Sequence, residues 1–206
     1  MSKRVISLIG RANSMTIKIF YDCEFTHLFE PNIVDEPGLI SIALLTPDDQ
    51  YCYLENQDFN PENCSYFVED AVLPHLSWYP DEPPFTPEAI RMALPKGGRD
   101  TMPAKTLAAR LRSFIEVQND LVILVSDAPS YDWPLVEQLF EEHGGWPHNL
   151  EHRAYGLGLT GSQNHSYEQE CELAYAADPT LRRHHAGDDV RVIAKVYGLA
   201  TRKLDV

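Results

Sequence analysis

The sequence predicts an α/β protein: one mixed sheet, part antiparallel meander and part parallel, flanked by helices on both faces. Three observations carry this. Three β-rich apolar runs lie close together near the start, at 17–26, 39–45 and 50–54, with short connections, the pattern of an antiparallel meander. A later, nearly continuous apolar run, Asp120 to Ser126 (DLVILVS), has the pattern of a strand buried on both faces. The segments between and after carry helical spacing, so the order reads β-β-β-α, then α-β-α and α. The first strand is expected at the centre, because the meander and the later strand must share it.

Ile17 to Thr26 (IKIFYDCEFT) is the first strand. Side chains alternate along a strand, so Asp22 and Glu24 share one face and Cys23 takes the other. Leu39 to Leu45 (LISIALL) reads as a buried strand, Thr46-Pro-Asp-Asp49 as a turn, and Gln50 to Leu54 as the third strand. Pro61 to Leu73 is expected to be helical, capped by Asn60, with Tyr66, Phe67, Val72 and Leu73 on its apolar side. His75 to Pro103 is Pro-rich, with a short helix at Ala89 to Leu94. Its Arg91, Lys96 and Arg99, with Lys105 just beyond, form a local basic cluster that suits a phosphate-tracking surface or a merely solvated loop. Ala104 to Val117 is an amphipathic helix with Leu107, Leu111, Phe114 and Ile115 on one face. Tyr131 to Glu142 is the next helix, closed by Gly144–Gly145. One more strand is expected within Arg153 to Leu159, then helices at Tyr167 to Ala177 and Asp188 to Leu199.

With 206 residues, 44% hydrophobic and 23% charged, the chain suits a single well-cored domain. Residues 15–206 are expected to form it. Residues 1–14 read as an N-terminal extension, an upstream start of translation, or a longer first strand. No run is long and apolar enough for a membrane helix. Cys23, Cys52, Cys64 and Cys171 show no paired spacing, which argues against zinc and disulfides and for reduced thiols in a cytoplasmic protein. The net charge of −14 counts against a broad basic face for nucleic acid, but not against an enzyme whose metal ions supply the positive charge.

Two carboxylates on one strand face are costly without a positive partner. Oxygen ligands suit a hard cation such as Mg²⁺ or Mn²⁺. Asp132 follows the buried strand by a short turn (SDAPSYD). If that strand runs parallel beside the first, Asp132 approaches Asp22 and Glu24 at the carboxyl ends of both; local sequence taken alone favours Asp132 as a helix cap. In His184-His-Ala-Gly-Asp-Asp189, His184 and Asp189 can meet if His184 stands in the loop and Asp189 in the first helical turn. Imidazole there suits a general base, while two acids at a helix start also suit the helix dipole.

A D-x-E on the first strand, an Asp after the central strand and a late H-x4-D form an ordered set. That set resembles the DEDDh superfamily of 3′–5′ exonucleases, of ribonuclease-H-like fold. YDCEFT is similar to its first motif, SYDWPLV to its second and HHAGDDVRVI to its third, across roughly residues 15–200. The wording around FYDCEF and LISIALL most resembles the small bacterial and phage exoribonucleases of the ribonuclease AS type. Two departures stand out: an Asn-bearing loop usually precedes the second Asp, and a larger apolar residue usually stands where Gly187 does.

The resemblance implies that Asp22, Glu24, Asp132 and Asp189 hold two Mg²⁺ ions, with Mn²⁺ as a substitute, and that His184 rather than His185 is the base. It implies release of nucleoside 5′-monophosphates from the 3′ end of single-stranded RNA. Phe25 and Thr26 would contact the terminal nucleotide, although Phe25 and Trp133 read equally as core. A homodimer is expected, with apolar helix surface in 61–117. A single-strand DNA exonuclease and a catalytically silent nucleic-acid-binding adaptor are the competing readings; all five active-site positions being filled weighs against the adaptor.

Overall fold

The structure, a computed structural model, describes residues 15–28, 35–80, 86–95, 97–159 and 162–202. The expected extension, 1–14, lies outside the described residues, as does Lys96.

Strands β1 (Thr16–Phe25), β2 (Leu39–Leu45) and β3 (Tyr51–Asn56) form the antiparallel meander. On the other side of β1, β5 (Leu121–Ser126) pairs in parallel. With the two-residue strands β4 (Thr101–Met102) and β6 (Tyr155–Gly156) at the edges, the sheet order is β4-β3-β2-β1-β5-β6. A meander with a parallel strand beside its first member, covered by helices on both faces, is a ribonuclease-H-like layout.

Alternation along β1 sorts the two layers. Ile19, Tyr21 and Cys23 pack toward α3 (Ala104–Glu116) and α4 (Pro129–His143), in the core with Leu107, Leu111, Val136 and Phe140. Phe20 points the other way, with Ala43, Leu45 and Val125, onto Ala186, Val190 and Ile193 of α6 (Ala186–Arg202). Asp22 and Glu24 continue the Phe20 face, so they emerge where α6 begins. Helix α5 (Ser162–Ala177) lies against α6 through Tyr167, Ala174, Val192 and Val196. A separate cluster of Ile40, Phe59, Val68, Val72, Leu73 and Ile90 seats α1 (Tyr66–Ala71) and α2 (Pro87–Ala93).

The helix expected over 61–73 is broken into three pieces: a 3₁₀ turn at Pro61–Asn63, α1, and a second 3₁₀ turn at Leu73–His75. Ser65 restarts the helix, because its hydroxyl accepts from Val68 N and its own N–H is spent on Thr26 O at 2.8 Å. Tyr66 and Phe67 are not its buried side; they are 83% and 53% exposed. The strand expected within 153–159 shrinks to Tyr155–Gly156, and α5 and α6 begin earlier than their apolar spacing indicated. Trp133 is core, edge-on to Trp146 with ring centroids 5.5 Å apart.

One buried carboxylate shows how this fold treats an acid it means to keep dry. Glu55 is fully buried and accepts from Ser77 N, Ser77 Oγ, Thr101 Oγ1 and Tyr53 Oη, all at 2.7–2.8 Å. Those bonds tie β4 and the turn after α1 to β3, and they satisfy a charge whose burial would otherwise be prohibitive.

Candidate metal centre

The parallel register of β1 and β5 pairs Phe20 with Val125. Just beyond that pair, Asp127 and Asp22 bring their carboxylates together. The chain then turns into α4 at Pro129, and Asp132 sits in the first turn. It does not cap the helix: the residue at the cap is Ala128, and Asp132 is buried, accepting from Ser126 Oγ. The same hydroxyl accepts from Ala128 N at 2.9 Å and so fixes the turn. Asp22, Asp127 and Asp132 each offer a carboxylate oxygen within 4.8 Å of the other two.

A register shift between Glu24 and Phe25 ends the regular pairing of β1 with β2. Such bulges re-aim side chains at a sheet margin. Glu24 joins His184 and Asp189, again with ligand atoms within 4.8 Å of one another. His184 stands in the turn before α6 with a left-handed backbone, φ +58°, a conformation with a real cost for a residue bearing a Cβ. Its N–H donates to Asp189 Oδ2 at 3.1 Å, which locks loop to helix. Tyr175 Oη donates to Asp189 Oδ1, and Tyr167 Oη donates to Asp127 Oδ2 at 3.1 Å, so α5 holds one acid of each group.

All five expected residues, Asp22, Glu24, Asp132, His184 and Asp189, line one cavity of about 440 Å³, large enough for a nucleotide-sized ligand. Phe25 lines it too and also packs against the core, so its core reading holds and its side chain borders the cavity. Thr26 does not line it. Its hydroxyl meets His27 Nδ1 and Gly38 N, its N–H donates to Gly38 O, and it is 1% exposed; its work is to fix the loop. His185 is buried away from the cavity. It stacks near Tyr53, sits 3.1 Å from the Arg182 guanidinium and accepts from Asp188 N, as a cap on α6. Burial, then Arg182, drives its pKa down to about 4.

Gly187 is explained by a neighbour. A Cβ there would collide with the Tyr51 hydroxyl and press on His185 and Tyr53. Tyr51 of β3 thus fills the space that a large apolar side chain would otherwise take. Among the described residues, the expected basic surface does not form beside the acids. Arg91 pairs with Glu62 at 3.2 Å, Arg99 lines a different groove with Arg110, and neither they nor Lys105 line the cavity.

Sequence reasoning missed Asp127, Tyr167, Tyr175 and Phe67. Only Asp127 left a trace, standing directly after the apolar run of β5. Phe67 looks like a core residue in the sequence, but its ring meets that of His184 edge-on at 4.9 Å across the cavity.

Electrostatically the cavity is the reverse of the Glu55 site. The Asp22 carboxyl is driven well above its ordinary range by burial and then by Asp132, Glu24, Asp189 and Asp127, all acids. Glu24 rises by burial and by Asp189 and Asp132, and its hydrogen-bond neighbour is Asp189, another acid. Burial lifts Asp132 to about 7 and Asp189 to about 6, against the pull of Ser126 and Tyr175. Asp127 rises as well, chiefly by burial. Among the described residues no Lys or Arg lines the cavity, and acids gathered in this way are the kind of oxygen donor set that hard divalent ions take. His184 is pushed the other way by burial and by Arg183, so it is neutral near pH 7 and able to accept a proton.

No protein-family model matches this chain, and no curated protein matches it. Among solved structures it is similar to S. pombe Pop2p in its Mg²⁺- and Mn²⁺-bound form, with 14% identity and a TM-score of 0.42, over 91% of this chain and 84% of that one. All four cysteines are free thiols. No helix among the described residues is long and apolar enough to cross a membrane.

Proposed function

We propose that this chain is a divalent-metal-dependent 3′–5′ exoribonuclease of DEDDh type, which hydrolyses single-stranded RNA and releases nucleoside 5′-monophosphates. One observation supports it above the rest: β1, the start of α4 and the start of α6 deliver Asp22, Glu24, Asp132, Asp189 and His184 to one cavity. The three motifs that carry the family resemblance are the three segments that meet there. Within the superfamily, the ribonuclease AS branch rests on the sequence around Phe20 to Phe25 and Leu39 to Leu45.

Asp22, Glu24, Asp132 and Asp189 would hold two Mg²⁺ or Mn²⁺ ions, with Asp127 beside the first group. Such ions, when bound, neutralise the carboxylates, acidify the attacking water and stabilise charge on the phosphoryl group and the leaving oxygen. His184, neutral and edge-on to Phe67, takes the proton from that water. Tyr175 and Tyr167 hold the carboxylates of Asp189 and Asp127 in place. Phe25 and Phe67 offer ring faces or edges to the terminal base, a sequence-tolerant contact worth about 1–3 kcal/mol. The preference for RNA over DNA rests on the resemblance.

The test uses matched RNA and DNA oligomers, labelled at the 3′ or 5′ end and incubated with Mg²⁺. Stepwise release of mononucleotides from the RNA 3′ end is expected. Internal cleavage fragments would overturn the exonuclease reading, and faster loss of DNA would overturn the choice of substrate. RNA binding without hydrolysis would favour the adaptor.

A further inference from the structure

We propose that the open groove leading from His184 past Arg183 to His75 carries the phosphodiester backbone of the strand whose 3′ end lies on the carboxylates, with Arg183 as its phosphate contact. The proposal rests on the exonuclease reading above.

Two spaces adjoin the carboxylate cavity. One, of about 500 Å³, shares Phe25, His27, Leu28 and Tyr131 with it; Asp35 and Glu36 stand on its wall, and among the described residues no Lys or Arg lines it. The other, of about 640 Å³, shares His184 and is walled by Arg182, Arg183 and His75, with Glu172 as its acid. A chain carrying −14 overall repels a polyanion on average, so a space walled by guanidinium groups beside the acids is where a polyanion is best received. The first space suits an uncharged base, and the second suits phosphates.

The two arginines are not equivalent. Arg182 is committed: it bonds Asp188 Oδ2 at 2.8 Å and His75 O at 3.2 Å, and so builds the wall. Arg183 lies over the Tyr175 ring, 4.4 Å from its centroid, and pairs with Glu172. In that pair the side chains are 46% and 67% exposed, so it is screened and readily exchanged. A phosphate can replace Glu172 on the guanidinium fork, which suits that geometry. Tyr175 joins the two places: its hydroxyl holds Asp189 while its face supports Arg183.

Two substrates separate this groove from the metal site. The p-nitrophenyl ester of a nucleoside 5′-monophosphate needs the carboxylates, His184 and the contacts to its one base; a ten-nucleotide RNA also needs the groove. Arg183→Ala is expected to lose about tenfold in kcat/KM on the RNA, through KM, with kcat/KM on the ester changed by no more than about twofold, the effect of releasing His184 from the Arg183 charge. The slope of log KM against log salt should fall by about 0.7, the loss of one single-strand phosphate contact. Arg183→Lys should retain most of that slope, and Glu172→Gln should lower KM for the RNA. If Arg183→Ala matches the wild type on RNA, or loses equally on both substrates, the groove assignment is overturned. If the wild-type protein cleaves neither substrate, the exonuclease reading fails and the groove falls with it.

Discussion

Removing divalent ions should make this protein's stability depend steeply on pH, and the structure gives the size of the effect. Asp132 titrates at about 7 in the folded chain against 3.8 ordinarily. Between those values the folded state binds more protons than the unfolded one, so stability falls as pH rises through the window. At about 1.4 kcal/mol per pH unit, this group alone removes on the order of 4 kcal/mol between pH 4 and pH 8. For a chain of this size that corresponds to a fall in Tm of about 10 °C. Asp22, Glu24 and Asp189, raised in the same direction, add to it. Divalent ions replace the protons, so Mn²⁺ or Mg²⁺ should restore Tm at pH 8 and do little at pH 5. Thermal denaturation in chelator and in 5 mM Mn²⁺, about a saturating level for such sites, measures this across the pH range. Asp132→Asn should flatten the chelator curve. A wild-type Tm that stays level from pH 5 to pH 8 in chelator, or an equal gain from Mn²⁺ at both ends, would mean that these carboxyls do not hold extra protons in the folded chain.

Other consequences are checkable singly. His184→Ala should cut kcat by about 10²–10⁴-fold while leaving the Mn²⁺-dependent rise in Tm largely in place; undiminished turnover would remove His184 as the base. Glu55→Ala strands four donors away from the site and should cost about 2–4 kcal/mol in urea denaturation, with metal binding unchanged. Gly187→Leu should destabilise by about 1–3 kcal/mol through overlap with Tyr51; adding Tyr51→Ala should recover much of that, and no recovery would mean that Tyr51 is not what fills the space.

The parts of the site that could be read in the sequence are those set by local periodicity. Alternation along β1 placed Asp22 and Glu24 on one face and Cys23 on the other, and an apolar run such as LVILV can only be a doubly covered strand or a buried helix. The offset of His184 from Asp189 works because a turn precedes α6. What could not be read depends on pairing between distant segments. Asp127 reaches Asp22 only through the parallel register of β1 with β5. Tyr167 and Tyr175 lie on α5, whose apolar pattern is weak, and they matter because α5 is laid along α6. Phe67 has the composition of a core residue and the position of a cavity wall. The helix expected at 61–73 failed for a different reason, since the Ser65 hydroxyl competes locally for the backbone and Pro74 has no N–H to continue it. Of the basic cluster expected in 75–103, Arg91 pairs with Glu62 and Arg99 lines a groove with Arg110, and among the described residues Arg182 and Arg183 are the arginines that border the space adjoining the site.

The exonuclease reading requires Asp22, Glu24, Asp132 and Asp189 to form one seat for divalent cations. Titration of metal-free protein with Mn²⁺, followed by the loss of the free-ion paramagnetic resonance signal, tests it directly. Two bound ions per chain are expected in the wild type, with Asp22→Asn and Asp132→Asn each losing at least one. Wild-type binding no tighter than that of the two variants would contradict it.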